Sequence, residues 1–403
     1  MNFLMDRPSA TAEQRAQRLE LMERARALVP LLAKNAKTTE DNRRVVEENI
    51  QALEKAGLYA ILRPARFGGL ETDVRTSIDV QKELALGCAS TSWVFGLGIA
   101  TNFIVAMFSQ QAQEDVWGDN NENRICAVTS PDEATAVRVA GGWKVSGNFR
   151  YASGSAHAQW AIIGIPFTDE AGNFTGTGMG LAPMSELTVE DTWFVSGMRG
   201  TASNTLVAKD VFIPDHRIQS YEQAFSNTES SPHKNAPLYR SSFGALFNLC
   251  LAVPTIGGAE AALSLVIEKA KVRKMPQMTI KQSQATTNQL LISKAAMLID
   301  SANLHLYNTT AITDEAAATG EALTERQRAR NGAELTAAVH YARDAVRLLV
   351  QAHGSATFAE SNVLQRHWRD CETASTHFAF NEVCVEQYGK VLLDIELGYA
   401  MQN

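Results

Sequence analysis

The sequence predicts an α+β protein in three consecutive parts, a helical domain, a small β domain and a helical bundle, and three observations carry that reading. Residues 11–121 keep a helical apolar periodicity, residues 124–215 switch to short alternating runs, and beyond residue 241 four long helical stretches follow. The boundaries are drawn at 1–122, 123–216 and 217–403. A chain of 403 residues, 45% apolar and 20% charged, is long enough for two or three domains around a large core.

In the first part the clearest helix lies in "TTEDNRRVVEENIQALEKAGLYAI". Thr38 or Thr39 is placed to cap it, Val46, Ile50 and Leu53 share one face, and Gly57 ends it. "PARFGGL" then reads as a turn. The longest apolar run, "WVFGLGIATNFIVAMF" (93–108), falls short of the roughly 20 residues of a membrane span and contains Asn102, so it reads as a buried helix. In the second part, "AVRVAGGWKVSGNFRY" turns at Gly141-Gly142 and "NTLVAKDVFIP" closes the region. Residues 216–237, rich in Ser, Asn and Pro, read as a connecting loop. The helical stretches at 242–273, 281–311, 324–352 and 361–397 are separated by short breaks, which predicts antiparallel neighbours in a four-helix bundle. "LLISKAAMLI" and "AVRLLVQA" carry apolar residues on more than one helix face, as a bundle that also meets other subunits would.

A formal net charge of -7 argues against nucleic acid or an anionic membrane as partner, since both need a basic face. The five cysteines (Cys88, Cys126, Cys250, Cys371, Cys384) are scattered, without CxxC or zinc-type spacing. They read as free thiols of a reducing compartment, the cytoplasm, with no metal site expected. "MNFLMDRPSATAEQR" has an acid and a proline where a secretion signal needs a continuous apolar stretch. A nicotinamide fingerprint needs GxGxxG between strand and helix; "GLGIAT" (96–101) ends in Thr and "GTGMG" (176–180) sits in the β domain, so neither qualifies. P-loop, HExxH and GxSxG are absent from the sequence, leaving phosphoryl transfer, zinc hydrolysis and serine hydrolysis unsupported.

The last helical stretch carries "RHWRDCETASTHFAFNE" (366–382). At 100° per residue Arg366, Asp370, Thr373 and His377 fall on one polar stripe, while Trp368, Cys371 and Phe378 point elsewhere. Such a stripe in a buried helix is either a satisfied structural network or the wall of a site.

Four stretches in this order, "AVTSP" (127–131), "WKVSGNFRYASGSAHAQW" (143–160), "GMRGTASNTLVAKDVFIP" (197–214) and "QRHWRDCETASTHFAFNEVCVEQYGKVLL", resemble the acyl-CoA dehydrogenase superfamily over nearly the whole chain. Within it they are most similar to the oxygenases of two-component flavin-dependent aromatic hydroxylases. The resemblance implies an N-terminal helical domain, a central β-barrel and a C-terminal four-helix bundle assembling a homotetramer, with flavin between barrel and bundle. By the same resemblance Ser153 faces flavin N5, Thr129 and Ser130 lie along the ring, Arg273 reaches the flavin phosphate across a subunit boundary, and Gly354 and Ser355 form a turn packed on the cofactor. Read as residues alone, Ser153 and Thr129 are equally ordinary turn and strand residues, and Arg273 a helix-end cation balancing the dipole.

His377 separates dehydrogenase from oxygenase. Family dehydrogenases abstract a proton with a glutamate a few residues past an Arg-Asp pair; here the segment after Arg369-Asp370 offers His377, and Glu372 is too close to the pair to substitute. In the hydroxylase branch a histidine there is set against the substrate. The implied chemistry is reduced FMN or FAD reacting with O2 to a C4a-(hydro)peroxyflavin that hydroxylates or epoxidises an aromatic ring. His377 would hold or remove a substrate proton near neutral pH, and Ser153 would bond N5 in a dry pocket. Without a nicotinamide site, electrons must come from a separate NAD(P)H:flavin reductase. Phenol-hydroxylating relatives often carry a histidine near 102; Asn102 cannot take a proton, which tilts the substrate from simple phenols towards a neutral heteroaromatic such as indole, unless Asn102 is a helix-interior residue bonded to backbone. An acyl-CoA dehydrogenase-type flavoenzyme, an N- or S-oxygenating enzyme and a non-catalytic flavin carrier are the alternatives.

Overall fold

In this computed structural model, residues 7–169, 171–225, 231–233 and 235–397 are described. The helical domain contains α1 (Ala12–Asp41), α2 (Glu47–Lys55), α3 (Val74–Gly87), α4 (Ala89–Val105) and α5 (Gln110–Trp117). The start of α1 is set by a capping box in which the Thr11 hydroxyl accepts from Gln14 N–H and the Gln14 side chain from Thr11 N–H. Thr38 and Thr39 do not cap α2. Both belong to the last turns of α1, and α2 starts after Val46 without a side-chain cap, although Thr39 Oγ1 reaches the Val46 N–H at 3.4 Å. Ile50 and Leu53 are buried as expected, and Gly57 ends the segment in the left-handed region (φ 72°), where glycine has no Cβ to clash.

The central domain contains β1 (Ile125–Val128), β2 (Ala134–Val139), β3 (Gly142–Ala152), β4 (Trp160–Thr168), β5 (Phe174–Pro183), β6 (Thr188–Glu190), β7 (Asn204–Pro214) and β8 (Ile218–Ser220). They form two four-stranded sheets, ordered β1-β4-β5-β8 and β2-β3-β7-β6, facing each other across a shared core that includes Val145, Phe149, Ile163, Ile165 and Leu206. The β-barrel implied by the resemblance corresponds here to two separately hydrogen-bonded sheets. Apolar alternation sets which side chains point inward, but closure depends on tilt and stagger that alternation does not encode. The hairpin at Gly141 and Gly142 is found, with Val139 paired to Gly142. β8 pairs with β5 from Gly180↔Ile218 to Gly178↔Ser220, so the sheet runs past the expected boundary at 216. The 216–237 segment read as a loop therefore contains β8 and α6 (Tyr221–Phe225); residues 226–230 and 234 lie outside the described residues.

β4 explains how this domain attaches to the helices. Ala161, Ile163 and Ile165 point between the sheets, while Trp160 and Ile162 join the core of the helical domains. A strand buried on both faces reads as a continuous apolar run, as "WAIIGI" does.

The bundle is built from α7 (Phe243–Val272), α8 (Thr286–Thr319), α9 (Glu325–His353), α10 (Val363–Ala374) and α11 (Glu382–Leu392). α7, α8 and α9 pack on one another, α10 lies against α7 and α9, and α11 against α9. The expected fourth helix, 361–397, is broken at 375–381. Ser375 and Thr376 donate back to the carbonyls of Glu372 (3.1 Å) and Thr373 (2.8 Å), and Asn381 caps α11 by accepting from Val383 N–H. His377 therefore leaves the stripe of Arg366, Asp370 and Thr373.

α7 is 30 residues long with a mean hydropathy of 1.7 in its most apolar window, long and apolar enough to cross a membrane, but it is the core helix of the bundle with most of that window buried. Pro254 within it has no N–H, which frees the Cys250 carbonyl one turn earlier. The Gln81 amide of α3 donates to that carbonyl at 2.7 Å and to the Ser92 carbonyl of α4 at 3.1 Å, tying both helical domains together. A Cβ at Gly96 would overlap the Gln81 amide, so the glycine keeps this link possible.

Candidate active site

Ser153 follows β3 in a loop that Gly154 (φ 77°) turns back towards α4. Its Oγ accepts from Trp93 Nε1 of α4 at 3.2 Å, and the Trp93 ring stands edge-on to the His377 imidazole, centroids 5.7 Å apart at 68°. One indole thus touches both residues expected to be catalytic. Trp93 itself was hidden in the sequence inside the apolar run read as core. On its other side Ser153 Oγ lies 2.7 Å from Ser203 Oγ, and Ser203 Oγ lies 2.7 Å from Thr201 Oγ1, two further hydroxyls that no spacing rule singled out.

The loop carrying Thr201 and Ser203 is held under strain. Met198 (φ 53°) and Ala202 (φ 47°) occupy the left-handed region that non-glycine residues rarely adopt. What holds it is α10: Asp370 Oδ1 accepts from Met198 N–H at 2.6 Å, Arg369 donates to the Ser196 carbonyl, and a Cβ at Gly197 would overlap the Arg369 carbonyl. Burial pushes the Asp370 carboxyl up to about 6, against the Met198 N–H and the Arg366 and Arg369 charges. The polar stripe of α10 is therefore the loop's foundation.

His377 is a half-buried ring between Trp93 and Phe378, whose centroid lies 4.4 Å away. Burial pushes its pKa down to about 4, so the ring is neutral at physiological pH. Its Nδ1 accepts from Ala379 N–H at 3.3 Å, capping the short turn that follows. A neutral imidazole with Nδ1 accepting carries its proton on Nε2. Of the two roles expected of His377, holding or removing a substrate proton, this tautomer leaves an Nε2–H free to donate.

Arg273, Gly354 and Ser355 meet at a second location. Arg273 caps the end of α7, and its Nη1 lies 2.9 Å from His353 Nε2 at the end of α9, directly before Gly354 (φ 84°) and Ser355. With Leu265, Lys269, Asn362 and Val363 these two side chains line a cleft of about 420 Å³. Burial, with the nearby Arg273 and Lys269 charges, lowers the His353 pKa, and among the described residues no carboxylate pairs with either cation. Asn362 caps α10, whose N-terminus also faces the cleft. Two cations and a helix N-terminus suit a phosphate or pyrophosphate. From Thr255, whose carbonyl receives Cys371 Sγ beside Asp370, α7 runs on for about 27 Å to Arg273.

Thr129 and Ser130 continue β1 and lie over Gly164, where a Cβ would overlap the Thr129 carbonyl; that carbonyl also accepts from Tyr221 OH. Asn102 stands apart. It is buried, its amide donates to the Tyr59 carbonyl at 2.8 Å, and it lies about 13 Å further along α4 than Trp93. The bond to backbone weighed as its alternative is the one found, which removes the argument that tilted the substrate towards indole.

The helical domain matches the family "Acyl-CoA dehydrogenase, N-terminal domain" over residues 11–118, and the bundle matches "Acyl-CoA dehydrogenase, C-terminal domain" over residues 249–382. The chain is 33% identical to the flavin-dependent monooxygenase oxygenase subunit HsaA of Mycobacterium tuberculosis, over 87% of this chain and 89% of that one. It is 30% identical to the FADH2-dependent resorcinol hydroxylase oxygenase component of Rhizobium sp., over 94% and 95%. XiaF from Streptomyces sp., solved with FADH2 and glycerol, superposes with a TM-score of 0.90 at 34% identity, covering 96% of this chain and 98% of XiaF. The chain belongs to the acyl-CoA dehydrogenase-fold oxygenase components of two-component flavin-dependent monooxygenases. It is an oxidoreductase of reduced flavin and O2, with a separate reductase as electron source.

Proposed function

We propose that this chain hydroxylates an electron-rich aromatic ring bearing an oxygen, a phenol in preference to an indole, between Ser153 and His377. The observation that carries the reading is the Ala379 N–H donated to His377 Nδ1, which assigns the ring proton to Nε2; an Nε2–H donor complements a phenol or phenolate oxygen and is mismatched to an indole N–H. The names of the resorcinol hydroxylase oxygenase component of Rhizobium sp. and of the p-hydroxyphenylacetate 3-hydroxylase oxygenase component of Acinetobacter baumannii, 26% identical to this chain, support the same class. Bound reduced flavin supplies the activated oxygen. Ser153 bonds the flavin edge, Trp93 fixes both Ser153 and His377, and His377 holds the substrate oxygen and stabilises its negative charge, making the ring carbon a better nucleophile. Thr129 and Ser130 line the flavin side, and Arg273 with Gly354 and Ser355 takes the phosphates. We assign the electron source to an NAD(P)H:flavin reductase and the location to the cytoplasm, which suits five free, buried thiols.

We further propose a homotetramer assembled through the bundle. α8 exposes Leu290 (55%), Met297 (62%) and Leu304 (46%) at seven-residue spacing, an apolar stripe that a partner subunit would cover. The separation of Arg273 from the Ser153 level fits service of a neighbouring subunit's flavin. Arg273→Ala is expected to weaken FADH2 binding about 10- to 100-fold, the loss of a charge-assisted phosphate contact, while light scattering still reports a tetramer. A monomeric wild type would contradict the assembly.

The deciding experiment supplies chemically reduced FAD or FMN with O2 to the protein and a panel of phenols, indoles and thioethers, and identifies products by mass. Hydroxylated phenols are expected; oxidation confined to indole nitrogen-ring carbons or to sulfur would overturn the substrate class.

A further inference from the structure

The three hydroxyls behind Trp93 admit only one arrangement of protons that fills all their contacts. Thr201 Oγ1 lies 2.9 Å from the Met198 carbonyl, which can only accept, so Thr201 donates there. Its proton being used, the 2.7 Å contact between Thr201 and Ser203 requires Ser203 to donate, and the 2.7 Å contact between Ser203 and Ser153 then requires Ser153 to donate. Trp93 Nε1 can only donate, and it does so into Ser153 Oγ. Thr201 and Ser203 are buried at 1% and 4% exposure, so bulk water does not scramble this order. Met198 and Ala202, in the same loop, hold the left-handed backbone that non-glycine residues rarely adopt.

We infer that Thr201 and Ser203 are positioning residues that turn the Ser153 hydroxyl into an obligate acceptor towards the cofactor and so make the site select reduced over oxidised flavin. The inference rests on the proposed place of Ser153 at flavin N5. Reduced flavin carries an N5–H, which the remaining lone pair of Ser153 accepts; oxidised flavin presents a bare N5 lone pair, which then faces an oxygen with no proton to offer. Discrimination comes from the direction of the hydrogen bond, with no change of shape. An oxygenase fed by a diffusing cofactor needs that discrimination, since spent oxidised flavin competes for the same cleft.

The test compares dissociation constants of FADH2, measured anaerobically, and of FAD for wild type, Ser203→Ala, Ser203→Thr, Thr201→Val and Ser153→Ala. Ser203→Ala frees the Ser153 proton to turn to oxidised N5, so the ratio of oxidised to reduced dissociation constants is expected to fall about tenfold, mostly through tighter FAD binding. Thr201→Val, nearly isosteric, is expected to do the same by releasing Ser203, and Ser203→Thr to keep the wild-type ratio. An unchanged ratio in Ser203→Ala and Thr201→Val, with Ser153→Ala altering it, overturns the relay. If Ser153→Ala also leaves the ratio unchanged, the placement of Ser153 at the flavin is what fails, and the relay with it.

Discussion

Replacing His377 with alanine is expected to leave flavin binding nearly intact and to cut product formation about 100- to 1,000-fold, the usual cost of removing one donor aimed at developing charge. The lost turnover should appear as H2O2, because oxygen activation continues while the substrate oxygen has lost its anchor. His377→Gln separates donor from base. A glutamine amide can donate to a phenolic oxygen but cannot take its proton, so partial recovery of coupling is expected from the Nε2–H geometry. Product and peroxide yields measured side by side decide the matter. Glutamine as uncoupled as alanine would restore the base role anticipated from the sequence, and an alanine variant as fast and as coupled as wild type would make His377 a packing residue.

The second large effect concerns the loop's foundation. Asp370 has a folded pKa of about 6 against an ordinary 3.8. Between those values the folded state binds more protons than the unfolded state, so this carboxyl's contribution to stability is greatest at low pH and is lost as pH rises from about 4 through 6. Its ionisation then costs about 3 kcal/mol at pH 7. Asp370→Asn keeps an acceptor for the Met198 N–H and removes the charge, so it is expected to be more stable than wild type at pH 7 by a sizeable part of that amount and to lose the advantage by pH 4. His157 and His367, both held at about 4 by burial, act in the opposite sense and destabilise the fold as pH falls from 6.5. The difference between variant and wild-type urea midpoints at each pH therefore carries the test. An asparagine variant weaker than wild type at every pH would mean that the charged Asp370–Met198 bond is worth more than its burial costs.

The helices were legible because their apolar faces repeat over many turns, and Gly57 and Gly141 because turns there need a backbone that glycine adopts freely. The break at 375–381 was not, although its parts were in view. Ser375, Thr376 and Asn381 each bond their own neighbours, and whether such bonds cap or merely decorate a helix depends on what the helix packs against. Trp93 was read as apolar core because periodicity registers the indole's bulk and is blind to its N–H. Ser203 and Thr201 lay inside a stretch that carried the resemblance, but nothing marked the two hydroxyls themselves: "GTAS" is ordinary turn chemistry until Ser153 is brought against it from fifty residues away in sequence. Arg273, Gly354 and Ser355 were matched to the cofactor by resemblance, and placing Arg273 against His353, next to Gly354 and Ser355 in the chain, needed the bundle to bring the ends of α7 and α9 together.

The shared core of the two helical domains has a consequence for synthesis. α3 and α4 bury their apolar faces against α7, which begins only at Phe243, after the whole sheet domain has been made. At translation rates of about 5–20 residues per second, the first domain waits on the order of ten seconds for its partner. During that interval the faces of α3 and α4 that pack against α7 in the finished protein stay uncovered on the nascent chain. Such a surface is a natural client of ribosome-associated chaperones, and truncation before α7 should yield aggregate in place of an independently folded first domain.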